Sequence, residues 1–337
     1  MRAFIESLPK AELHVHLEGT LEPELSLELA RKNGVDLPFQ SPEDLIAAYD
    51  FHDLPSFLKI YYAGMSVLVD EHDFFRLTWD YLAKAASQNI VYAELFFDPQ
   101  AHTARGVAFD TVIRGIRSAQ QRAAEELGIE TQLILCFLRD MSAQSAMEHL
   151  AMAMPYLDWL VGVGLDSDEH ENPPVKFSEV FARARSLGLR LTMHCDVNQQ
   201  DTIEHIRQVL DEIGVDRIDH GVNSLESDLL CEKIRDRGLG LTVCPVSNRF
   251  VVQSLTSGEV RAMLERGMCV TINSDDPAYF RAYLNENLCE LQEEGDFTAD
   301  EIVQLVSNGF DAAWIGEDRK AAYKSMVLGA ANPQAAH

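Results

Sequence analysis

The sequence predicts an α/β chain folded as a (β/α)8 TIM barrel, and three observations carry that prediction. Eight short runs, most of them near-continuous in Val, Ile and Leu, recur along the 337 residues with helical stretches between them; such content marks parallel strands covered on both faces. The length exceeds that of an ordinary domain yet suits one barrel of this kind. Histidines or carboxylates stand just past most of these runs, at the strand ends where such a barrel gathers its polar groups.

Taken in order, the first run is 11–19, AELHVHLEG. Side chains alternate along a strand, so His14 and His16 share one side while Leu13, Val15 and Leu17 share the other. Two imidazoles side by side make half of a divalent-metal site, since imidazole suits zinc, iron or nickel. Helical spacing over 22–33 ends near Gly34. The stretch 41–48 opens on a capping box with Ser41 as N-cap and Asp44 standing in for the usual Glu. Helical stretches over 54–67 and 72–87 follow with no strand between them, and this excursion is expected to cover the barrel mouth as a lid. Its aromatic residues (Phe51, Phe57, Tyr61, Tyr62) sit at helical spacing, which favours core packing. The remaining strands are expected at 90–97, 131–137, 159–165, 189–194, 217–220, 238–244 and 268–273. Helices at 109–126, 177–186, 202–213 and 258–266 fall between them. From Asp300 onward two more helices should close the barrel, and 330–337 reads as a frayed tail. No linker, repeat or low-complexity stretch divides the chain, so 1–337 is expected to be one domain, with extra helices between strands 1 and 2 and at the C-terminus.

Composition narrows the function. Hydrophobic residues make up 47% and charged residues 24%, an ordinary globular balance. Lys and Arg total 28 against 54 Asp and Glu, a net charge of −26. Such a surface repels phosphate backbones and anionic lipids, which argues against nucleic-acid and membrane partners and favours a small neutral ligand. A homo-oligomer is compatible with this composition. Six cysteines without a C-x-x-C pair, most in apolar runs, read as reduced buried thiols. No apolar run reaches about 18 residues, and no signal peptide is recognisable, so the expected location is the cytoplasm.

The strand ends carry the chemistry. In order they read His14/His16, Phe97-Asp98-Pro99-Gln100, Asp166-Ser167-Asp168-Glu169, His194-Cys195-Asp196, His220-Gly221, Cys244-Pro245-Val246-Ser247-Asn248 and Ser274-Asp275-Asp276-Pro277. A single buried histidine is more often a hydrogen-bonded core residue, and Asp-Asp-Pro is often a solvated turn. Four such ends converging on one mouth argue for a site. Three histidines and one aspartate would leave a coordination position open, the layout of a catalytic metal site.

HVHLEG, the lone histidine at the fifth strand end, RIDHG, CPVSN and NSDDPAYF together resemble the adenosine/adenine deaminase family of the amidohydrolase superfamily. FFDPQAHTARGV, VGLDS followed by PPVKF, and NSDDPAYF look nearest to its adenine deaminase branch. The resemblance implies one zinc ion held by His14, His16, His194 and Asp275, with the pKa of its water brought toward neutrality. It implies that His220 orients or deprotonates that water and that the resulting hydroxide attacks C6, converting adenine to hypoxanthine and ammonia. Asp276 would meet the ring at N7 and Ser167 near N3; orienting a metal ligand and a plain turn are the alternatives for these two. Glu18 and Gly19 would lie against the substrate. The nucleoside-specific branch typically has Asp where Glu18 stands, so the longer side chain is expected to fill the sugar space and favour the free base.

One motif departs from the family. The pattern H-A-G-E after the fifth strand supplies a proton to ring N1, whereas this chain reads His194-Cys195-Asp196-Val197, with Val197 in the acid's place. Loss of a general acid costs on the order of 10²–10⁴-fold. Asp196, two residues past His194 and so on the same strand face, is the favoured replacement; Glu169 from the neighbouring end, or a different reaction, are the others. Two rival functions follow, deamination of an N6-substituted adenine or another 6-aminopurine, and a non-catalytic purine- or metal-binding relative.

Overall fold

The computed structural model describes residues 1–49, 51, 54–197 and 201–332. Eight strands follow one another in chain order: β1 (Lys10–His16), β2 (Ile90–Phe97), β3 (Glu130–Leu138), β4 (Leu160–Asp166), β5 (Arg190–Cys195), β6 (Arg217–His220), β7 (Gly240–Val243) and β8 (Cys269–Ile272). Every neighbouring pair is parallel. The ring is drawn shut just past β8, where the His16 N–H donates to the Asp275 carbonyl and the Asp275 N–H to the His14 carbonyl, each at 3.0 Å. The fold is therefore the expected (β/α)8 barrel, and its seam runs through residues expected to hold metal.

Alternate strand residues divide the core. Leu13, Val15, Leu95, Leu133, Leu135, Leu165, Leu191 and Leu241 are buried in the continuous apolar layer between strands and helices. Their neighbours turn inward and are unusually polar for a barrel axis: Glu94, Thr192, Arg217, Asp219 and Thr242 are all buried. Arg217 pairs with Glu94 across the interior and lies with its guanidinium 4.1 Å from the Trp314 ring centroid. Trp314 in turn donates its backbone N–H to Glu94 at 2.6 Å. This plug closes the end of the barrel opposite the site.

The excursion between β1 and β2 is helical as expected, with helices Pro23–Asn33, Pro42–Ala47, Leu54–Gly64 and Glu71–Ser87. The Ser41–Asp44 box forms: the Asp44 N–H donates to Ser41 Oγ and the Ser41 N–H to Asp44 Oδ2, at 3.2 and 3.1 Å. Phe51, Phe57 and Tyr61 pack with Tyr279, Phe280 and Val246 in a separate apolar cluster over the mouth. Three details differ from the sequence pattern. The stretch 202–213 is a helix only over Thr202–Gln208 before widening into a π turn, Val209–Ile213. β7 stops at Val243 because Pro245 opens a helix, Pro245–Val252, as proline at a first helical position favours. A short helix, Arg2–Ser7, precedes β1.

The C-terminal helices Ala299–Ala312 and Glu317–Ala331 are present as expected, the second running two residues into the stretch read as frayed; 333–337 lie outside the described residues. All six cysteines are free thiols, five of them buried and Cys269 partly so. No described helix is long and apolar enough to cross a membrane.

Candidate active site

Three imidazoles and one carboxylate meet at the mouth. His14 Nε2 and His16 Nε2 lie 3.3 and 3.5 Å from Asp275 Oδ1. His16 Nε2 lies 3.1 Å from His194 Nε2. One ligand-type atom from each of His14, His16, His194 and Asp275 falls within 4.8 Å of the other three. The alternation read in β1 is what sets His14 and His16 together.

The far side of each imidazole shows what the near side is for. The Thr242 hydroxyl donates to Asp219 Oδ1 at 2.9 Å, so toward His14 Nδ1, also 2.9 Å away, it can only accept. His14 therefore carries its proton on Nδ1 and presents a bare lone pair at Nε2. That atom is buried and has no hydrogen-bond partner among the described residues. His194 Nδ1 faces Asp219 Oδ2 at 3.6 Å, and His16 Nδ1 faces Asp166 Oδ2 at 3.4 Å. Carboxylates behind histidines are the usual orienting partners of metal ligands. Nitrogen donors with one carboxylate suit zinc, so the residues fit that ion. Burial, reinforced by the neighbouring imidazoles, holds His194 well below the ordinary histidine range, which keeps it neutral for coordination. Asp275 stays ionised: burial opposes this, but His14, His220 and His16 outweigh it and hold the carboxyl well below its usual range.

His220 and Asp196 stand beside this cluster. His220 Nε2 lies 3.5 Å from Asp196 Oδ1 and 3.9 Å from Asp275 Oδ2. Ser167, His220 and Asp275 all adopt positive φ, at 71, 58 and 66°. Such backbone costs roughly 1–3 kcal/mol at each non-glycine position and collects where side chains must be aimed. Burial, then the charge on Glu169, pushes the Asp196 carboxyl well above its usual range, so it holds its proton. Glu169 is the reverse case. Its Oε1 takes a hydrogen bond from His205 Nδ1 at 2.6 Å, and its Oε2 takes one from the Asp196 N–H at 2.9 Å. Arg139 Nη1 adds a charge 3.5 Å away. Against the effect of burial, Arg139 and then His205 keep Glu169 below the ordinary range, ionised.

These groups open into a cavity at the barrel mouth. Its wall includes Asp196, Val197, Ser167, Asp276 and Asp98, and its roof includes Phe57, Tyr61 and Tyr62 of the lid, so part of the aromatic stretch faces the site besides packing. No Lys or Arg lines it among the described residues. Tyr62 donates its hydroxyl proton to Ser167 Oγ at 2.8 Å, leaving the serine proton free for a ligand. Asp276 Oδ1 is buried without a hydrogen-bond partner among the described residues. Gly19 packs directly on that residue, where a Cβ would come within 2.1 Å of Asp276 Oδ1 and 2.7 Å of its Cα. Glu18 differs from expectation. It is buried but is not part of the cavity wall, because its carboxylate turns toward the Asp98 N–H and His102 Nε2 at 3.1 and 2.8 Å.

The sequence reading missed Asp219, Thr192, Thr242, Arg139, His205 and His102. A signal existed for the first three, since each is a polar residue in an inward position of an apolar strand; the others are paired across the fold.

The adenosine deaminase family model matches residues 9–329. The chain is 48% identical to an adenine deaminase of Rhodospirillum rubrum over 321 residues, covering 95% of this chain and 96% of that protein. It superposes on the crystal structure of an adenine deaminase from Arthrobacter aurescens with a TM-score of 0.92 and 40% identity, over 95% of this chain and 98% of that one. An amidohydrolase from Burkholderia ambifaria, crystallised with bound zinc, matches with a TM-score of 0.90 and 26% identity, over 99% and 93%.

Proposed function

Because this chain belongs to the adenosine deaminase family, it is a hydrolytic deaminase, and we propose that it converts free adenine to hypoxanthine and ammonia with a single zinc ion as cofactor. The observation that carries this reading is the meeting of His14, His16, His194 and Asp275 beside His220 and Asp196 at one cavity. We assign the whole chain to one catalytic domain. A cytoplasmic site of action and a neutral purine as its small-molecule partner agree with the free thiols and the net charge of −26.

When bound, zinc would acidify water and so supply a nucleophile near neutral pH. His14, His16, His194 and Asp275 would hold the ion. His220 takes the proton of the attacking water at Nε2, the atom that faces Asp196 and Asp275. Asp196, whose carboxyl is pushed well above its usual range by desolvation and then by the charge on Glu169, gives its proton to ring N1 and draws electron density away from C6. Asp276, whose carboxyl is pushed well above its usual range by burial and then by the charge on Asp275, donates its proton to N7. Ser167, accepting from Tyr62, donates to N3. The proton held on His220 then leaves with the amino group as ammonia, while the C6 hydroxyl of the adduct returns its proton to Asp196, giving the 6-oxo product with N1 protonated. The aromatic roof keeps bulk water from the ring while this happens.

Assaying the zinc-loaded protein for 6-oxopurine product and released amine (ammonia, or methylamine from N6-methyladenine) on adenine, N6-methyladenine, adenosine and 2-aminopurine tests the reading. Adenine should be the best substrate. A higher kcat/KM for adenosine or for the N6-methyl compound would reject it, and binding without turnover on every purine would favour a non-catalytic relative.

A further inference from the structure

The carboxylate of Glu18, expected to fill the sugar space, seats a different residue. Its Oε1 accepts from the Asp98 backbone N–H and from His102 Nε2. His102 is braced behind, with Nδ1 accepting from Arg105 Nη2 at 2.9 Å; since arginine can only donate, the imidazole proton must sit on Nε2 and point at Glu18. Glu18 thereby holds both Asp98, the residue that leads from β2 into the helix Pro99–Thr103, and His102 near the end of that helix.

The Asp98 side chain lines the cavity, is 2% exposed, and leaves Oδ1 with no hydrogen-bond partner among the described residues. Its carboxyl lies against that of Asp166, the residue before Ser167. A buried acceptor that the protein leaves unpaired is positioned for a donor on the ligand. Unsubstituted adenine has a single ring N–H, on its five-membered ring, and in the N9 form that group is the neighbour of N3. With Ser167 at N3 and Asp276 at N7, N9 would fall between them, and Asp98 stands close to both Asp166, the neighbour of Ser167, and Asp276. A nucleoside or nucleotide has replaced that N–H with a glycosidic bond, and a nucleotide would also bring phosphate to a cavity with no lining Lys or Arg among the described residues.

We propose that Asp98, held in place by Glu18 and His102, accepts the imidazole-ring N–H of the free base and is the specificity-determining residue that excludes 9-substituted purines. The inference rests on the adenine reading above. A site built to pair a substrate N–H rejects the analogue that lacks it by about 10⁴-fold or more.

The test compares adenine with 9-methyladenine, which has no ring N–H, in wild type, Asp98→Ala and Asp98→Asn at equal zinc content. Wild type should prefer adenine by about 10⁴-fold in kcat/KM. Asp98→Ala should lower kcat/KM for adenine about 100-fold, mainly through KM, and leave 9-methyladenine unchanged or improved, so that the ratio narrows. Asp98→Asn keeps a carbonyl acceptor and should recover most of the preference. Equal losses on both substrates, or a wild type indifferent to 9-methylation, would overturn the assignment. If Asp98→Ala does not fold, the wild-type preference and Asp98→Asn still decide it. A zinc-loaded wild type that releases ammonia from neither compound would instead overturn the adenine reading.

Discussion

Asp196 and Glu169 are joined by one hydrogen bond, from the backbone of the first to the carboxylate of the second, yet the fold holds them in opposite charge states. The difference lies in their company. Glu169 has Arg139 and His205 against it, whereas Asp196 faces the cavity and the charge of Glu169. Only Asp196 therefore has both a proton to give and a route to a substrate. Asp196→Asn should lower kcat for adenine by about 10²–10⁴-fold with bound zinc unchanged. Glu169→Gln should cost much less, because an amide oxygen still accepts the Asp196 N–H. Ammonia release at matched zinc content checks this, and the reverse order of effects would move the acid to Glu169. The sequence exposed Asp196 through its two-residue offset from His194. It could not exclude Glu169, because the residues that neutralise it, Arg139 and His205, lie 30 and 36 positions away.

Among the elements, β1 links stability to the site. Its end supplies His14 and His16 and, through Asp275, the seam of the barrel. Its start is Lys10, whose ammonium is buried and donates to the carbonyls of Ile5 and Leu8 at the end of the first helix, at 3.0 and 2.5 Å. Burial pulls this lysine down to about 8. Between about pH 8 and 10.5 the unfolded chain consequently holds more protons at this position than the folded one, so stability should rise with pH across that window. Relative to Lys10→Met, the wild type should gain up to about 1.4 kcal/mol per pH unit there, read by denaturant unfolding at several pH values. A difference independent of pH would mean that Lys10 keeps its ordinary pKa in the fold. The strands were legible because their apolar runs are local signals, and the ligand positions were legible because they follow from alternation and strand-end placement. Glu18 was not. Its partners, the Asp98 N–H and His102, lie on another strand end and the helix after it, so only the assembled barrel reveals that the carboxylate is already engaged.

At the scale of the whole molecule, the barrel separates two kinds of electrostatic work. The interior below the site is bound together by Arg217, which pairs with both Glu94 and Asp219 and is capped by Trp314. The mouth instead concentrates carboxyl groups, with Asp98, Asp166, Asp196, Asp275 and Asp276 on one cavity wall and no lining Lys or Arg among the described residues. A divalent cation is the counter-charge that such a mouth calls for, and a neutral purine is the ligand that it tolerates. The acidic composition anticipated the second point, whereas the polar interior was legible only as single inward-facing polar residues, Thr192, Asp219 and Thr242, whose pairing with one another and with the histidines needs the assembled barrel. The account is tested most directly by ammonia release from adenine in metal-stripped and zinc-restored protein, with bound zinc quantified in the same samples. Activity should be absent after stripping and should return in proportion to zinc, reaching its plateau at one equivalent per chain. Full zinc occupancy without ammonia release, or undiminished activity in the stripped protein, would contradict it.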